Sequence, residues 1–314
     1  MTCVYTCLCV LQVWNKHMEK QGTRRAFQGN PVKWYSEFWL PNFAPERMSK
    51  PPNAGHEALA ALASAPGVAI RVVTQNVDGL HRSTATAWDS EALLVEVHGR
   101  IGLYKCSSCG DHGQAGGCPY AKARSIVPAQ FSEDMRQQLG HGHGGGGGNG
   151  GGFLTEVPPC PGCSGPCLPQ ALLFDEDYSD HAFYQFAKVS SSPLESGFPV
   201  GTAIQRTATR MLTCDQLAGA VPMLCRPAWV PQVQEWLAEA EVLVFVGTSF
   251  AVTITALAIR EHGRRRGLPM FNFNIDSDPE RLRAATLDWV DVCGPAEVTL
   301  PSLAALCGVL VAAR

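Results

Sequence analysis

An α/β fold, with a parallel sheet core and a small metal-binding module inserted into it, is the architecture this 314-residue sequence predicts. Three observations carry it. Residues 68–74 and 242–246 are short β-branched runs that end in polar or glycine-bearing loops. The second run is followed by a helical pattern over 254–264 and another strand over 269–275, and strand–helix–strand implies parallel pairing. Between the two runs lie two C-x-x-C pairs, Cys106/Cys109 and Cys160/Cys163, spaced as zinc knuckles are. Together these describe a Rossmann-like core with an inserted zinc module.

Each element has its own warrant. Residues 53–62 predict a helix, with Asn53 as N-cap and alanine and leucine at helical positions. The strand over 68–74 delivers Gln75, Asn76, Val77 and Asp78 at its carboxyl end, where open α/β sheets place ligands. The strand over 242–246 delivers Gly247, Thr248 and Ser249 to the start of a helix, whose free N–H groups and positive dipole end suit a phosphate. Residues 140–152 are nearly all glycine and predict a linker. Their formal G-x-G-x-x-G has neither a strand before it nor a helix after it, so it predicts no dinucleotide loop. Residues 190–232 lack periodicity and predict an insertion, since deleting them joins 186–189 to 234–237 as one helical pattern.

Composition excludes several function classes. Hydrophobic content of 46% and charged content of 17% fit a globular protein. A net charge of -3 gives no electrostatic reason to expect nucleic acid, and no apolar run is long enough to cross a bilayer. The 13 cysteines are an odd count and do not form a disulfide framework. The nine outside the pairs predict free thiols in a reducing compartment, mitochondrial or cytoplasmic. Residues 1–25 carry Lys16, Lys20, Arg24 and Arg25 with no acid before Glu19, a weak match to a mitochondrial presequence, and 4–13 lack the basic lead of a secretory signal. Oligomeric state is not set by the sequence.

Four thiolates from Cys106, Cys109, Cys160 and Cys163 would make a closed tetrahedral site, structural rather than catalytic. Four free cysteines are the plain alternative, and Cys118 and Cys167 are close enough in sequence to be rival ligands. His98, in Glu96-Val97-His98-Gly99, can accept a proton near neutral pH, although a lone histidine is more often structural. The polar stretch after the first strand reads equally as a strand end capped by a turn.

The order of these elements resembles the sirtuin family of NAD-dependent protein-lysine deacylases: Thr74-Gln75-Asn76-Val77-Asp78-Gly79-Leu80-His81, then Val97-His98-Gly99, then C-x-x-C twice, then Gly247-Thr248-Ser249. The resemblance covers about 53–303 without the two insertions. It implies His98 as the general base and Gln75, Asn76, Val77 and Asp78 as the nicotinamide-side pocket. Gly247, Thr248 and Ser249 would lie by the phosphates, Asn274 and Asp276 by the adenosine ribose, and Ala296 in a last turn near adenine. NAD would be the co-substrate, one structural zinc ion the metal, and acylated lysine on proteins the partner. The products would be nicotinamide, O-acyl-ADP-ribose and free lysine. The strand after the last zinc cysteine, 171–174, would pair with the substrate backbone. There the family commonly has Phe-Gly-Glu and this chain has Phe174-Asp175-Glu176, which places an extra charge near the groove.

The implied organisation is an atypical segment over 1–52, a Rossmann-like core over 53–100 and 170–303, and a zinc module over 101–169. In 1–52 neither the family's first strand nor its Gly-Ala-Gly-x-Ser loop is found, which predicts a sheet missing a central strand and impaired NAD binding. Two other classes stay open: a catalytically impaired binding protein with the same fold, and a mono-ADP-ribosyltransferase.

Overall fold

The computed structural model describes residues 2–7, 16–43, 50–84, 88, 93–108, 118–120, 125–141, 154–176, 230–248, 250, 253–264, 267–275 and 289–311. Six parallel strands form one sheet: β1 (Thr2–Cys7), β2 (Ala69–Thr74), β3 (Leu94–Glu96), β6 (Val242–Val246), β7 (Met270–Asn274) and β8 (Val290–Cys293). Their order is β3-β2-β1-β6-β7-β8. This is the doubly wound arrangement, whose order reverses between β1 and β6 and so opens a crevice at their carboxyl ends.

The sheet does not lack its central strand, and here the structure corrects the sequence reading. Thr2–Cys7 fills that place, with Tyr5 paired to Val72 on one side and Val244 on the other. The run Thr-Cys-Val-Tyr-Thr-Cys is made of strand formers, but without a flanking turn signal it did not register as a strand. The glycine-rich loop is a separate matter. No glycine occurs before Gly22, and residues 8–15 after β1 lie outside the described residues.

Side chains alternate across the sheet, as a period of two requires. Val72, Val242, Val244 and Val246 face α5 (Ala54–Ala63) and α9 (Ala296–Leu306), packing with Leu59, Leu62, Leu300 and Ala304. Val73, Leu243 and Phe245 face α7 (Val230–Glu239) and α8 (Thr253–Arg264), packing with Trp236, Leu237, Ile254 and Ala258. Both faces are covered, which explains why β6 reads as a continuous apolar run. Asn53 caps α5 as expected, its Oδ1 accepting the His56 N–H at 3.1 Å.

A second core joins the zinc module to the amino-terminal segment. The module's sheet is β4 (Gly99–Cys106) antiparallel to β5 (Cys167–Ala171), with α6 (Glu133–His141) beside it. Against it pack α1 (Lys16–Gln21), α2 (Arg24–Gly29), α3 (Pro31–Trp34), a π turn (Tyr35–Trp39) and α4 (Leu40–Phe43). Phe27, Trp34, Tyr35, Phe38 and Trp39 share one cluster with Tyr104, Ile126 and Leu168. The buried Tyr35 hydroxyl donates to the Cys167 carbonyl at 2.9 Å. Residues 16–43 therefore belong with the zinc module.

Two boundaries also move. Gly140 and His141 end α6, so the glycine linker begins after them, and residues 142–153 lie outside the described residues. Val230, Pro231 and Gln232 open α7 rather than closing an insertion. Residues 177–229, including the proposed junction at 186–189, lie outside the described residues.

Candidate functional site

The residues singled out from sequence collect along one edge, the carboxyl ends of the parallel strands. Gln75, Asn76, Val77 and Asp78 follow β2, His98 follows β3, Gly247 and Thr248 follow β6, and Asn274 ends β7. Ala296 opens α9 just after β8. Backbone bonds lace this edge: Val97 N–H to Thr74 O at 2.9 Å, Gly247 N–H to Phe273 O at 2.8 Å, and Gly294 N–H to Asn274 O at 2.9 Å. From β3 to β6 is three strand spacings, about 14 Å. Ser249 and Asp276 lie outside the described residues.

Gln75 is 5% exposed, and neither its amide oxygen nor its amide nitrogen has a hydrogen-bond partner among the described residues. A buried amide without partners is costly, and a polar ligand at the crevice would satisfy it. This observation fits the set to a dinucleotide. At the far side of the crevice, Gly247 takes φ +57, a backbone conformation that favours glycine. The Asn274 side chain donates to the Thr248 carbonyl at 3.0 Å, which fixes the loop after β6. Asp78 accepts the Leu80 N–H at 3.0 Å, so it also caps the following turn, Leu80–Ser83.

His98 is half-buried in the turn that carries the chain from β3 of the large sheet into β4 of the small one. Two neighbours hold that turn. Leu172 N–H donates to the His98 carbonyl at 2.9 Å. Glu96, 3% exposed, accepts Arg82 Nε at 3.0 Å and Arg100 Nη2 at 2.6 Å. Arg82 in turn reaches the Trp88 carbonyl at 2.8 Å. This carboxylate–guanidinium clamp was not singled out from sequence; an acid two residues before His98 and an arginine two after it were its visible signal.

Beneath the pocket stretch lies a histidine pair. The His56 and His81 rings are 5.0 Å apart, around a small cavity that also touches Asn53, Leu59, Ala296 and Leu300. Ala296 therefore lies against α5, and its expected turn is the first turn of an 11-residue helix. His56 Nδ1 is 2.6 Å from Asn53 Oδ1. Burial, with His56 beside it, lowers the His81 pKa to about 3, and burial lowers that of His56. The unfolded chain thus takes up protons near pH 6.5 that the folded chain refuses. Stability contributed here is complete above pH 6.5 and is lost progressively as pH falls from 6.5 toward 3. Between pH 7.5 and 5 the expected loss from His81 is roughly 2 kcal/mol. Urea unfolding of the zinc-loaded chain at the two pH values checks it, and His81→Gln should flatten the slope; an unchanged slope would contradict the assignment.

In the zinc module the structure gathers Cys106, Cys118, Cys160 and Cys163, with their Sγ atoms all within 4.8 Å of one another. Cys106 and Cys163 are 3.5 Å apart, and Cys118 and Cys160 are 3.2 Å apart. Four thiolates about 2.3 Å from zinc stand about 3.8 Å apart at tetrahedral geometry, so the donor set fits a structural zinc ion. Cys109 lies outside the described residues.

The stretch after β5 differs from expectation. Leu172 N–H goes to His98 O, Leu173 N–H to Glu176 Oε2 and Phe174 N–H to Gly22 O. These three donors already have partners and are not offered to a substrate strand. Asp175 is not a stray charge: its carboxylate accepts the Arg24 and Arg25 N–H groups at 2.6 and 3.0 Å, capping α2 beside Thr23.

A family model described as the Sir2 family matches residues 12–205. The NAD-dependent deacetylase sir2E of Dictyostelium discoideum is 30% identical over 292 residues, covering 93% of this chain and 65% of that protein. The NAD-dependent protein deacylase SIR4 of Batrachochytrium dendrobatidis is 30% identical over 159 residues, 47% of this chain and 50% of that protein. The chain thus spans between half and two thirds of these relatives' lengths. Among solved structures, a Sir2 homologue in complex with NAD superposes with a TM-score of 0.58 at 17% identity, over 97% of this chain and 88% of that one. That similarity concerns the fold.

Proposed function

The chain belongs to the Sir2 family, and on that premise we propose that it removes acyl groups from protein lysines with NAD as co-substrate. The observation that carries this reading is the buried Gln75 amide without partners, set between His98 and the Gly247–Thr248 loop on one sheet edge. NAD would supply an electrophilic ribose carbon with nicotinamide as leaving group. Gln75, Asn76 and Asp78 would hold the nicotinamide side, Gly247, Thr248 and Ser249 the phosphates, and Asn274, Asp276 and Ala296 the adenosine side. His98 would accept the proton that frees a ribose hydroxyl to attack the activated acyl group. The sheet edge contributes orientation and exclusion of water more than covalent chemistry. The zinc would stiffen the module that carries His98 on its first strand turn. The partner would be an acylated lysine on a protein, in a reducing compartment, mitochondrial or cytoplasmic. Among the described residues no helix is long and apolar enough to cross a membrane.

The lack of any glycine between β1 and Gly22 favours one alternative, a binding protein without turnover. Mass analysis after incubation with NAD and acyl-lysine peptides decides the matter. Deacylated peptide with acyl-ADP-ribose supports the proposal. ADP-ribose attached to protein points to transfer, and unchanged NAD points to the binding protein.

A further inference from the structure

We propose that Glu96 is a positioning residue for the proposed deacylation, a reading on which this inference rests: its carboxylate sets His98 against the Gln75–Asp78 pocket. β2 and β3 pair only as far as Thr74 and Glu96. The pocket stretch and His98 both lie past the end of that ladder, on strand tails. Two backbone bonds join the tails, Val97 N–H to Thr74 O at 2.9 Å and Ile101 N–H to Val77 O at 2.7 Å. The Glu96 side chain, 1% exposed, adds a third tie. It accepts Arg82 Nε at 3.0 Å from the pocket side, and Arg100 Nε and Nη2 at 3.0 and 2.6 Å from beyond the His98 turn.

Each arginine also grips the pocket side a second time. Arg82 Nη1 donates to the Trp88 carbonyl at 2.8 Å, and Arg82 N–H to the Gly79 carbonyl at 3.1 Å. The stem of Arg100 lies on Gly79, the residue after Asp78: a Cβ there would meet Arg100 Cδ at 3.2 Å, and Gly79 takes φ +70, which favours glycine. One guanidinium is enough to compensate a buried carboxylate. The second makes the contact a bridge between two segments, with Asp78 on one and His98 on the other. Such a bridge bears on rate, because a displacement of about 1 Å at a reacting group costs about 10²-fold.

Two variants of the full zinc-loaded chain test this. Glu96→Gln keeps the shape and removes the charge. Arg82→Met removes the bridge and leaves Glu96 paired with Arg100, so the buried charge stays compensated. In both, the Val97 and Ile101 amides should exchange with deuterium about tenfold faster or more. The Leu243 amide, bonded to the Pro269 carbonyl between β6 and β7, should keep its rate. With NAD and an acyl-lysine peptide, kcat should fall roughly 10–100-fold while both KM values stay within about threefold. The double variant should be no slower than Glu96→Gln, since the two residues act as one unit. Unchanged exchange at Val97 and Ile101, equal acceleration at Leu243, a loss carried by KM alone, or additive losses in kcat would overturn the proposal. Exchange needs no turnover. An unaltered chain that releases no nicotinamide therefore removes the proposed deacylation, and the exchange rates still decide whether Glu96 holds the two segments together.

Discussion

Replacing His98 with alanine should lower acyl-peptide-dependent nicotinamide turnover by about 10²–10⁴-fold in a chain that still folds. The magnitude is that of a positioned general base. One contact at this turn is kept in the variant: the His98 carbonyl accepts Leu172 N–H, and alanine retains that carbonyl. The Glu96 clamp on Arg82 and Arg100 also remains. Steady-state rates together with a urea melt check both halves. A variant that keeps its rate, or loses rate only because it unfolds, would remove His98 from its role.

Glu176→Ala should cost about 3–5 kcal/mol of stability, the largest effect expected outside the zinc site. Lys105 and Glu176 are fully buried, with Nζ 2.8 and 2.7 Å from the two carboxylate oxygens. The same carboxylate accepts Arg24 Nε at 2.9 Å and Leu173 N–H at 3.0 Å. Truncation leaves the buried ammonium without its carboxylate and with the Ala171 carbonyl, 3.4 Å away, beside it as acceptor, and that loss exceeds the net value of the pair. The paired change Lys105→Met with Glu176→Leu should therefore recover most of the stability lost by Glu176→Ala. Urea unfolding of the zinc-loaded chain measures this. A single-variant loss below about 1 kcal/mol would mean that water or rearrangement satisfies Lys105. Since this carboxylate ties α2, β4 and the end of β5 together, proteolysis within 16–43 should also become faster in the variant.

The parts of the fold visible in the sequence are those whose signals are local. The β6 run is buried and apolar throughout, the β2 run is largely so apart from Arg71 and Thr74, and α5 announces itself through Asn53 and its run of alanine and leucine. β1 was hidden because parallel pairing with β2 and β6 is a long-range fact, and the turn signal sought after it is absent. The segment 16–43 was hidden for another reason: α1 and α2 are only six residues long, the helical run over 31–43 changes pitch at its π turn, and the packing is aromatic instead of a 3.6-residue stripe. β8 is short and largely exposed, so Val290–Cys293 gave no apolar run. At the candidate site, Gln75 to Asp78 and the Gly247–Thr248 loop stood out because each follows a strand legible in the sequence, whereas His98 stood out through the resemblance alone, since β3 before it is only three residues long. Contacts between distant segments left no such mark. Cys118 reaching Cys160, Asp175 capping α2 and His56 meeting His81 all depend on folding to bring them together.

Nicotinamide release is the direct test of the proposed NAD-dependent deacylation of lysine. The purified zinc-loaded chain would be given NAD with and without a panel of acyl-lysine peptides, alongside His98→Ala. Release should require an acylated peptide and disappear in the variant. Release without peptide, or none above the variant from a folded, zinc-bound chain, would contradict it.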